Sequence, residues 1–423
     1  MHTLEQLRSG ELAGISRLDL AANLTDFPRE IFELADSLEI LNLSGNQLSR
    51  LPDDLPRLHK LKVIFCSDNP FNELPDVLGE CPHLEMVGFK ACRIEQVAEA
   101  ALPARLRWLI LTDNRLRQLP SALGQRPRLQ KLMLSGNQLS ALPDSLAEAS
   151  NLELLRLAAN RFEALPDWLG QLPRLSWLAF SGNPCSPFPA APNKRVYSRD
   201  EVRLGELLGQ GASGLIHAGL LQDESAVAAK LFKGQVTSDG LPESEMAACL
   251  AAGEHPNLIT VKGILHTEQH PLPALLMERL PPRYRTLAGP PSLQSCTRDC
   301  YPANWTPSTD HALRIARGTA EAVAHLHARG ILHGDLYGHN LLVDAEGHTL
   351  LSDFGGATFI DPASALTQLE SRAFGCLLEE LLDHCAPDDQ SDRLLQLRQL
   401  QQRCLDMQVA ERPGFEEIRA ALR

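Results

Sequence analysis

LEILNLSGNQLSRLP, Leu38 to Pro52, spaces its leucines at 38, 41, 43, 48 and 51 and sets an asparagine at 46. The 41/43 pair has the period of a strand, which sends both side chains to one face. The pattern returns as LRWLILTDNRLRQLP from Leu106 and LQKLMLSGNQLSALP from Leu129. Units begin at Ile15, Leu38, Leu61, Leu84, Leu106, Leu129, Leu152 and Leu175, 23 residues apart with a single 22-residue step after Leu84. Their ninth positions are Asn23, Asn46, Asn69, Cys92, Asn114, Asn137, Asn160 and Asn183. One unit cannot bury its leucines alone, whereas a stack can. The asparagine closes each strand, and its amide can satisfy backbone groups of neighbouring turns. Cys92 is then a weaker rung. The Leu-Pro pairs at 51, 74, 119, 142 and 165 mark the return side.

The run L-x-x-L-x-L-x-x-N/C-x-L, eight times in register over about residues 15–185, resembles the leucine-rich repeat. That resemblance implies an α/β solenoid over 15–184, preceded by an N-terminal cap at 1–14. Function on such a solenoid lies on the strand-bearing face. Its outward positions include Phe65, Trp108, Ile110, Met133, Leu154 and Trp177, which solvent does not require. A contiguous apolar patch marks an interaction site, and aromatic side chains are common anchors. The expectation is a protein partner on this face, with docking by the chain's own second half as the alternative.

The register stops at NPCSPFPAAPNKR, where Pro184, Pro187, Pro189 and Pro192 favour an extended spacer over 185–198. A separate domain is expected over 199–423. The whole chain, 423 residues with a net charge of −13, disfavours nucleic acid and anionic lipid as partners. The N-terminal MHTLEQLRSGELAG has no signal-peptide core, and no apolar run reaches the ~18 residues of a membrane span. A cytoplasmic protein with reduced cysteines is expected. Cys296, Cys300 and His311 are close in sequence, but a zinc site would need a second ligand pair.

The second half carries ordered motifs. LLGQGASGLI holds Gly209, Gly211 and Gly214, followed by Ile216. A glycine turn of this kind can point its N–H groups at phosphates. VAAK ends in Lys230, and an inward Lys needs a carboxylate, either Glu245 or, in another helix phase, Glu243. PALLMERL reads as an apolar strand. DHALRIARGTAEAVAHLHAR, about 310–329, is an amphipathic helix stopped by Gly330. HGDLYGHN follows, then a hairpin of Leu341–Val343 and Thr349–Leu351 that delivers Asp353 of DFG, 18 residues beyond Asp335.

In this order the motifs resemble those of protein kinases, nearest the tyrosine-kinase-like group on the ending RCLDMQVAERPGFEEI. The resemblance implies an α+β bilobal domain that binds ATP and Mg²⁺ and phosphorylates serine or threonine. It implies Lys230 on the phosphates, held by Glu245, under a loop of Gly209, Gly211 and Gly214. Ile216, Ala228 and Met277 would line the adenine site, with backbone near Glu278 and Leu280 pairing with the base. Asp335 would take the substrate hydroxyl proton, and Asn340 and Asp353 would hold Mg²⁺.

Four departures keep other readings open. Gly334 stands where the family has an Arg that grips a phosphorylated loop, so activity independent of that switch is expected. Tyr337 replaces a Lys beside the transferring phosphate. Only 17 positions separate Asp353 from Glu370, which aligns with a buried acidic residue, and no A-P-E occurs between them. The Pro-rich stretch 281–309 reads as a long surface loop. H-G-D-x-x-x-x-N is also similar to aminoglycoside and choline phosphotransferases. A non-catalytic nucleotide-binding scaffold is the third alternative.

Overall fold

The computed structural model describes residues 1–186, 194–211, 213–233, 236–237, 239–266, 273–386 and 392–423. Most of the proline spacer, 187–193, and Ala212 of the glycine turn lie outside the described residues. The chain divides into two compact units, Met1–Leu172 and Pro173–Arg423.

The first unit opens with helix α1 (Leu4–Arg8), capped by a reciprocal Thr3–Gln6 capping box. Seven three-residue strands follow: β1 (Arg17–Asp19), β2 (Ile40–Asn42), β3 (Val63–Phe65), β4 (Met86–Gly88), β5 (Trp108–Ile110), β6 (Lys131–Met133) and β7 (Leu154–Arg156). They form one parallel ladder in which each residue pairs with its counterpart in the next repeat. The repeated strand motif sets that register, which holds across the one 22-residue step between β4 and β5. Short 3₁₀ turns such as Asp76–Glu80, Ser121–Leu123 and Asp144–Glu148 make the return side, each entered through a proline at φ near −65°. Leu41, Leu109, Leu132 and Leu155 in the strand centres are fully buried.

The asparagine ladder forms at the atomic level. Asn137 Oδ1 accepts the Leu116 N–H at 3.0 Å, and its Nδ2 donates to the Leu111 and Leu134 carbonyls at 2.9 Å. Asn46, Asn69, Asn114 and Asn160 repeat the scheme. Cys92 reaches the Cys66 carbonyl only at 3.5 Å. Asn23 departs from the pattern, being exposed with φ +51°.

The outward row is less open than its sequence implies. Phe65, Trp108 and Ile110 are half-buried, while Met133 and Leu154 are buried. Strand register sets Trp108, Lys131 and Leu154 side by side, and such neighbours cover one another. The Lys131 ammonium lies 4.2 Å from the Trp108 ring centre, and the indole N–H points at Met133 Sδ at 3.3 Å. Trp177 belongs to the second unit and is 1 % exposed. It is therefore not a free anchor on the outward row.

The second unit begins with β8 (Trp177–Ala179). Then come β9 (Val196–Tyr197), β10 (Val202–Gln210), β11 (Gly214–Leu221), β12 (Ala226–Phe232), helix α2 (Pro242–Ala252), β13 (Val261–Leu265) and β14 (Ala274–Glu278). These strands, without β8, form a six-stranded sheet in the order β10-β11-β12-β14-β13-β9. Further on are β15 (Arg285–Thr286), α3 (Thr309–His327), β16 (Ile331–Leu332), β17 (Leu341–Val343), β18 (Thr349–Leu351) and β19 (Thr358–Phe359). The chain ends with α4 (Thr367–Asp383), α5 (Asp392–Cys404) and α6 (Phe415–Ala421). β15, β17 and β18 make one small sheet, and β16 pairs with β19. α3 is capped by Ser308 and buries Ile315, Ala316, Ala320 and Val323 at helical spacing. α4 is buried nearly all round, polar Glu370, Ser371 and Arg372 included, and lies at the centre of the helical lobe.

Candidate active site

β12 alternates, so Ala228 and Lys230 share a face. Antiparallel register sets Lys230 between Ile216 and Leu275, and Ala228 between Ala218 and Met277. Lys230 is 8 % exposed. A lone ammonium there would be costly, and α2 supplies the counter-charge: Glu245 Oε1 accepts from Lys230 Nζ. Glu243, two residues earlier and on another face of α2, is exposed, so the helix phase selects Glu245. Burial pushes the Lys230 pKa down, but attraction by Glu245 and then Asp353 outweighs it and leaves the ammonium above its usual value.

The loop after β16 is held from below. Glu370 of α4 is fully buried; it accepts the Gly334 N–H at 2.6 Å and the His327 Nε2–H at 2.7 Å. Burial favours its protonated form, yet His327, His333 and the Gly334 N–H outweigh that and hold its carboxyl below the usual range. His333 accepts the Asp335 N–H at 3.3 Å and donates to the Ser352 carbonyl at 3.1 Å. Its ring meets Phe354 edge-on, with centres 5.3 Å apart. These contacts lock the HGD loop to the DFG turn. Asn340 Nδ2 donates to both the Asp335 carbonyl and Asp335 Oδ2 at 2.8 Å. Its Oδ1 remains as a hard oxygen donor, the type Mg²⁺ takes. Asp353 sits at φ +54°, a conformation rare for a side-chain-bearing residue and common at sites under functional constraint.

A cavity of about 250 Å³ joins these groups. Ile216, Met277 and Leu342 give it apolar walls, and Lys230, Asn340 and Asp353 supply one cation and two oxygen donors. Apolar walls with a few convergent polar groups suit a nucleotide, so the residues present fit ATP with a divalent cation. Gly209, Gly211 and Gly214 lie on the β10–β11 hairpin but do not line the cavity. Gly214 has a packing reason as well, since a Cβ there would meet the Leu231 carbonyl at 2.5 Å. Glu278 and Leu280 line a neighbouring hollow with Thr260 and Tyr284. The Glu278 N–H is already committed to the Thr260 carbonyl at 2.8 Å.

Sequence reasoning missed two parts of this site. The stretch 281–309 is not a passive surface loop. Its Gly289 and Cys300 exchange N–H···O bonds of 2.8 and 2.9 Å. That bridge sets Asp299 under the catalytic loop, where it accepts from the His339 N–H at 2.9 Å and bonds His339 Nδ1 at 2.7 Å. Gly338 packs closely there: a Cβ would meet Tyr301 Oη at 2.6 Å and displace it. His339 itself lines the cavity. The second missed part is β8, which packs against the loop from the other side.

Known proteins resemble both halves of the chain. The protein kinase domain model matches residues 202–392, and leucine rich repeat models match 37–58, 104–162 and 127–184. A LEAF RUST 10 disease-resistance locus receptor-like protein kinase-like protein of Arabidopsis thaliana is 32 % identical over 158 residues, 36 % of this chain and 21 % of its own length. A probable inactive serine/threonine-protein kinase, roco10 of Dictyostelium discoideum, is 33 % identical over 122 residues, 27 % of this chain and 5 % of its own. Tyrosine-protein kinase Fer of Rattus norvegicus is 28 % identical over 151 residues, 36 % and 17 % of the two chains. A leucine-rich repeat protein of Leptospira interrogans has 28 % identity over 40 % of this chain and 50 % of its own, at TM-score 0.37. The chain carries leucine-rich repeats followed by a protein kinase domain. It spans about a fifth or less of the curated kinases just named.

Proposed function

We propose that this chain is an ATP-dependent protein kinase that transfers the γ-phosphoryl group to a serine or threonine hydroxyl. The observation that carries the reading is the convergence of Lys230, Glu245, Asn340 and Asp353 on one cavity. Lys230 binds the phosphates and Glu245 fixes its position. Asn340 and Asp353 would hold Mg²⁺, which when bound neutralises charge on the phosphates. Asp335 orients the substrate hydroxyl and takes its proton as the oxygen bonds to the γ-phosphorus and ADP leaves. Ile216, Ala228 and Met277 pack against the base.

Titration of the purified chain with ATP and Mg²⁺ tests the site. Wild type should bind, and Lys230→Met should weaken binding at least tenfold. Equal affinity in the two proteins would remove Lys230 from the site. Recovery of labelled phosphoserine or phosphothreonine, rather than phosphotyrosine, tests the substrate class.

The competing reading is a non-catalytic scaffold, favoured by Tyr337 where the related kinases have Lys; it requires ATP binding without transfer. All ten cysteines are free thiols, which fits a reducing cytoplasmic setting. No described helix is long and apolar enough to cross a membrane. The row carrying Phe65, Trp108 and Ile110 is the part of the repeats proposed to bind a protein partner.

A further inference from the structure

Two of the departures in the HGD loop have one physical cause. Tyr337 is buried, and its ring stacks on Trp177 at 4.3 Å with the planes 6° apart. The Trp177 indole N–H donates to the Leu336 carbonyl at 2.9 Å, one residue past the catalytic carboxylate. Gly334 sits at φ +72°, and a Cβ there would lie 2.6 Å from the Leu178 carbonyl and 2.4 Å from that of Gly356. No side chain fits between β8 and the loop, so the Arg of related kinases is sterically barred.

The same stretch of chain reaches the segment after DFG. The Phe180 N–H donates to Thr358 Oγ1 at 3.1 Å, and Ser186 Oγ donates to the Phe359 carbonyl at 3.0 Å. Its start is clamped by arginines of the helical lobe. Arg412 donates to the Pro173 carbonyl at 2.7 Å and Arg372 to the Arg174 carbonyl at 3.2 Å. Burial lowers the Arg412 pKa to about 10, with Arg372 adding to that. The eighth repeat therefore touches the catalytic loop, the post-DFG strand and the helical lobe through directed hydrogen bonds.

We propose that Pro173–Ser186 is a built-in component of the phosphotransfer site and that Trp177 is a positioning residue for the catalytic loop. Trp177 does by stacking and a backbone hydrogen bond what a loop phosphate gripped by Arg would otherwise do. This rests on the kinase reading of the same site. The loop order is then permanent and needs no phosphorylation. Thr358, the hydroxyl of the post-DFG strand, is fully buried and already engaged with Phe180.

The test uses the full chain as wild type, Trp177→Phe and Trp177→Ala. Phe keeps an aromatic face for Tyr337 and loses only the indole N–H. Three quantities are read: kcat and KM for ATP, hydrogen exchange of amides 331–340 against those of α3, and exhaustive dephosphorylation of wild type. Trp177→Ala should lower kcat at least tenfold with KM for ATP within twofold. Exchange should accelerate in 331–340 but not in α3. Trp177→Phe should recover part of both, and dephosphorylated wild type should keep its rate. Unchanged loop exchange in both variants would overturn the proposal. So would equal acceleration across α3 with proportional loss of ATP binding, or a tenfold fall on dephosphorylation. If wild type transfers no phosphate, the kinase reading fails, and loop exchange still decides whether Trp177 positions it. Should Trp177→Ala not fold, Trp177→Phe decides alone.

Discussion

Gly334 is the residue on which the catalytic loop turns. Its backbone N–H is committed to Glu370, its φ is positive, and two carbonyls occupy the space of a Cβ. Gly334→Arg, which would restore the residue of related kinases, should therefore destabilise the second unit by about 3 kcal/mol or more, combining left-handed strain with a steric clash. A urea midpoint that stays at the wild-type value would refute this. That Lys230, Asn340 and Asp353 line one cavity follows motif order, which constrains them in sequence; their proposed chemical roles rest on the kinase reading. The helix phase that picks Glu245 over Glu243 was not legible in sequence, since the moment of so short and alanine-rich a helix points nowhere in particular. Nor was the commitment of the Glu278 N–H, which depends on a tertiary contact to Thr260.

At the scale of elements, the stretch 281–309 shows how a Pro-rich segment with no sequence periodicity can still be built into a site. Tyr301 Oη donates to Glu380 Oε2 at 3.2 Å, and Arg298 pairs with Glu379 at 3.2 Å and Glu380 at 3.9 Å. Burial and then repulsion by Asp299 push the Glu380 carboxyl up to about 7, against the opposing pull of Arg298. A carboxyl whose pKa is higher folded than unfolded binds its proton more tightly in the folded state. Its contribution is full below about pH 4.5 and is lost as pH rises through about 7. The shift corresponds to roughly 3 kcal/mol over that window. Chemical denaturation at pH 5 and pH 8 should show that loss in wild type, and Glu380→Gln should flatten it. A slope unchanged by the substitution would show that other groups carry it. The hairpin β17–β18, by contrast, was readable residue for residue, because two short apolar runs around the Ala345-Glu346-Gly347 turn are local signals.

For the whole molecule, repeat counting gave the strand register and the asparagine ladder from Asn46 to Asn160, with Cys92 as its weaker rung. Counting could not show that the eighth unit segregates with Pro173–Arg423, because its sequence is that of a repeat and its contacts are not. The outward row was over-read for the same reason: Met133, Leu154 and Trp177 share its pattern and are buried. On the reduced patch, Trp108→Ala should weaken capture of a protein partner at least tenfold, the loss expected at an aromatic anchor. The far-UV circular dichroism should stay that of the folded repeats, with only a modest fall in melting temperature from the lost Lys131 and Met133 contacts. Undiminished capture would move the partner site elsewhere.

The central claim is that the cavity between β12 and the DFG turn performs phosphoryl transfer. Incubation of wild type and Asp335→Asn with γ-labelled ATP and Mg²⁺ measures it most directly. The account predicts label transferred to protein hydroxyls by wild type, a rate roughly 10²–10⁴ lower in the variant, and ATP affinity nearly equal in the two. Equal transfer by both proteins, or ATP binding without transfer by wild type, would contradict it.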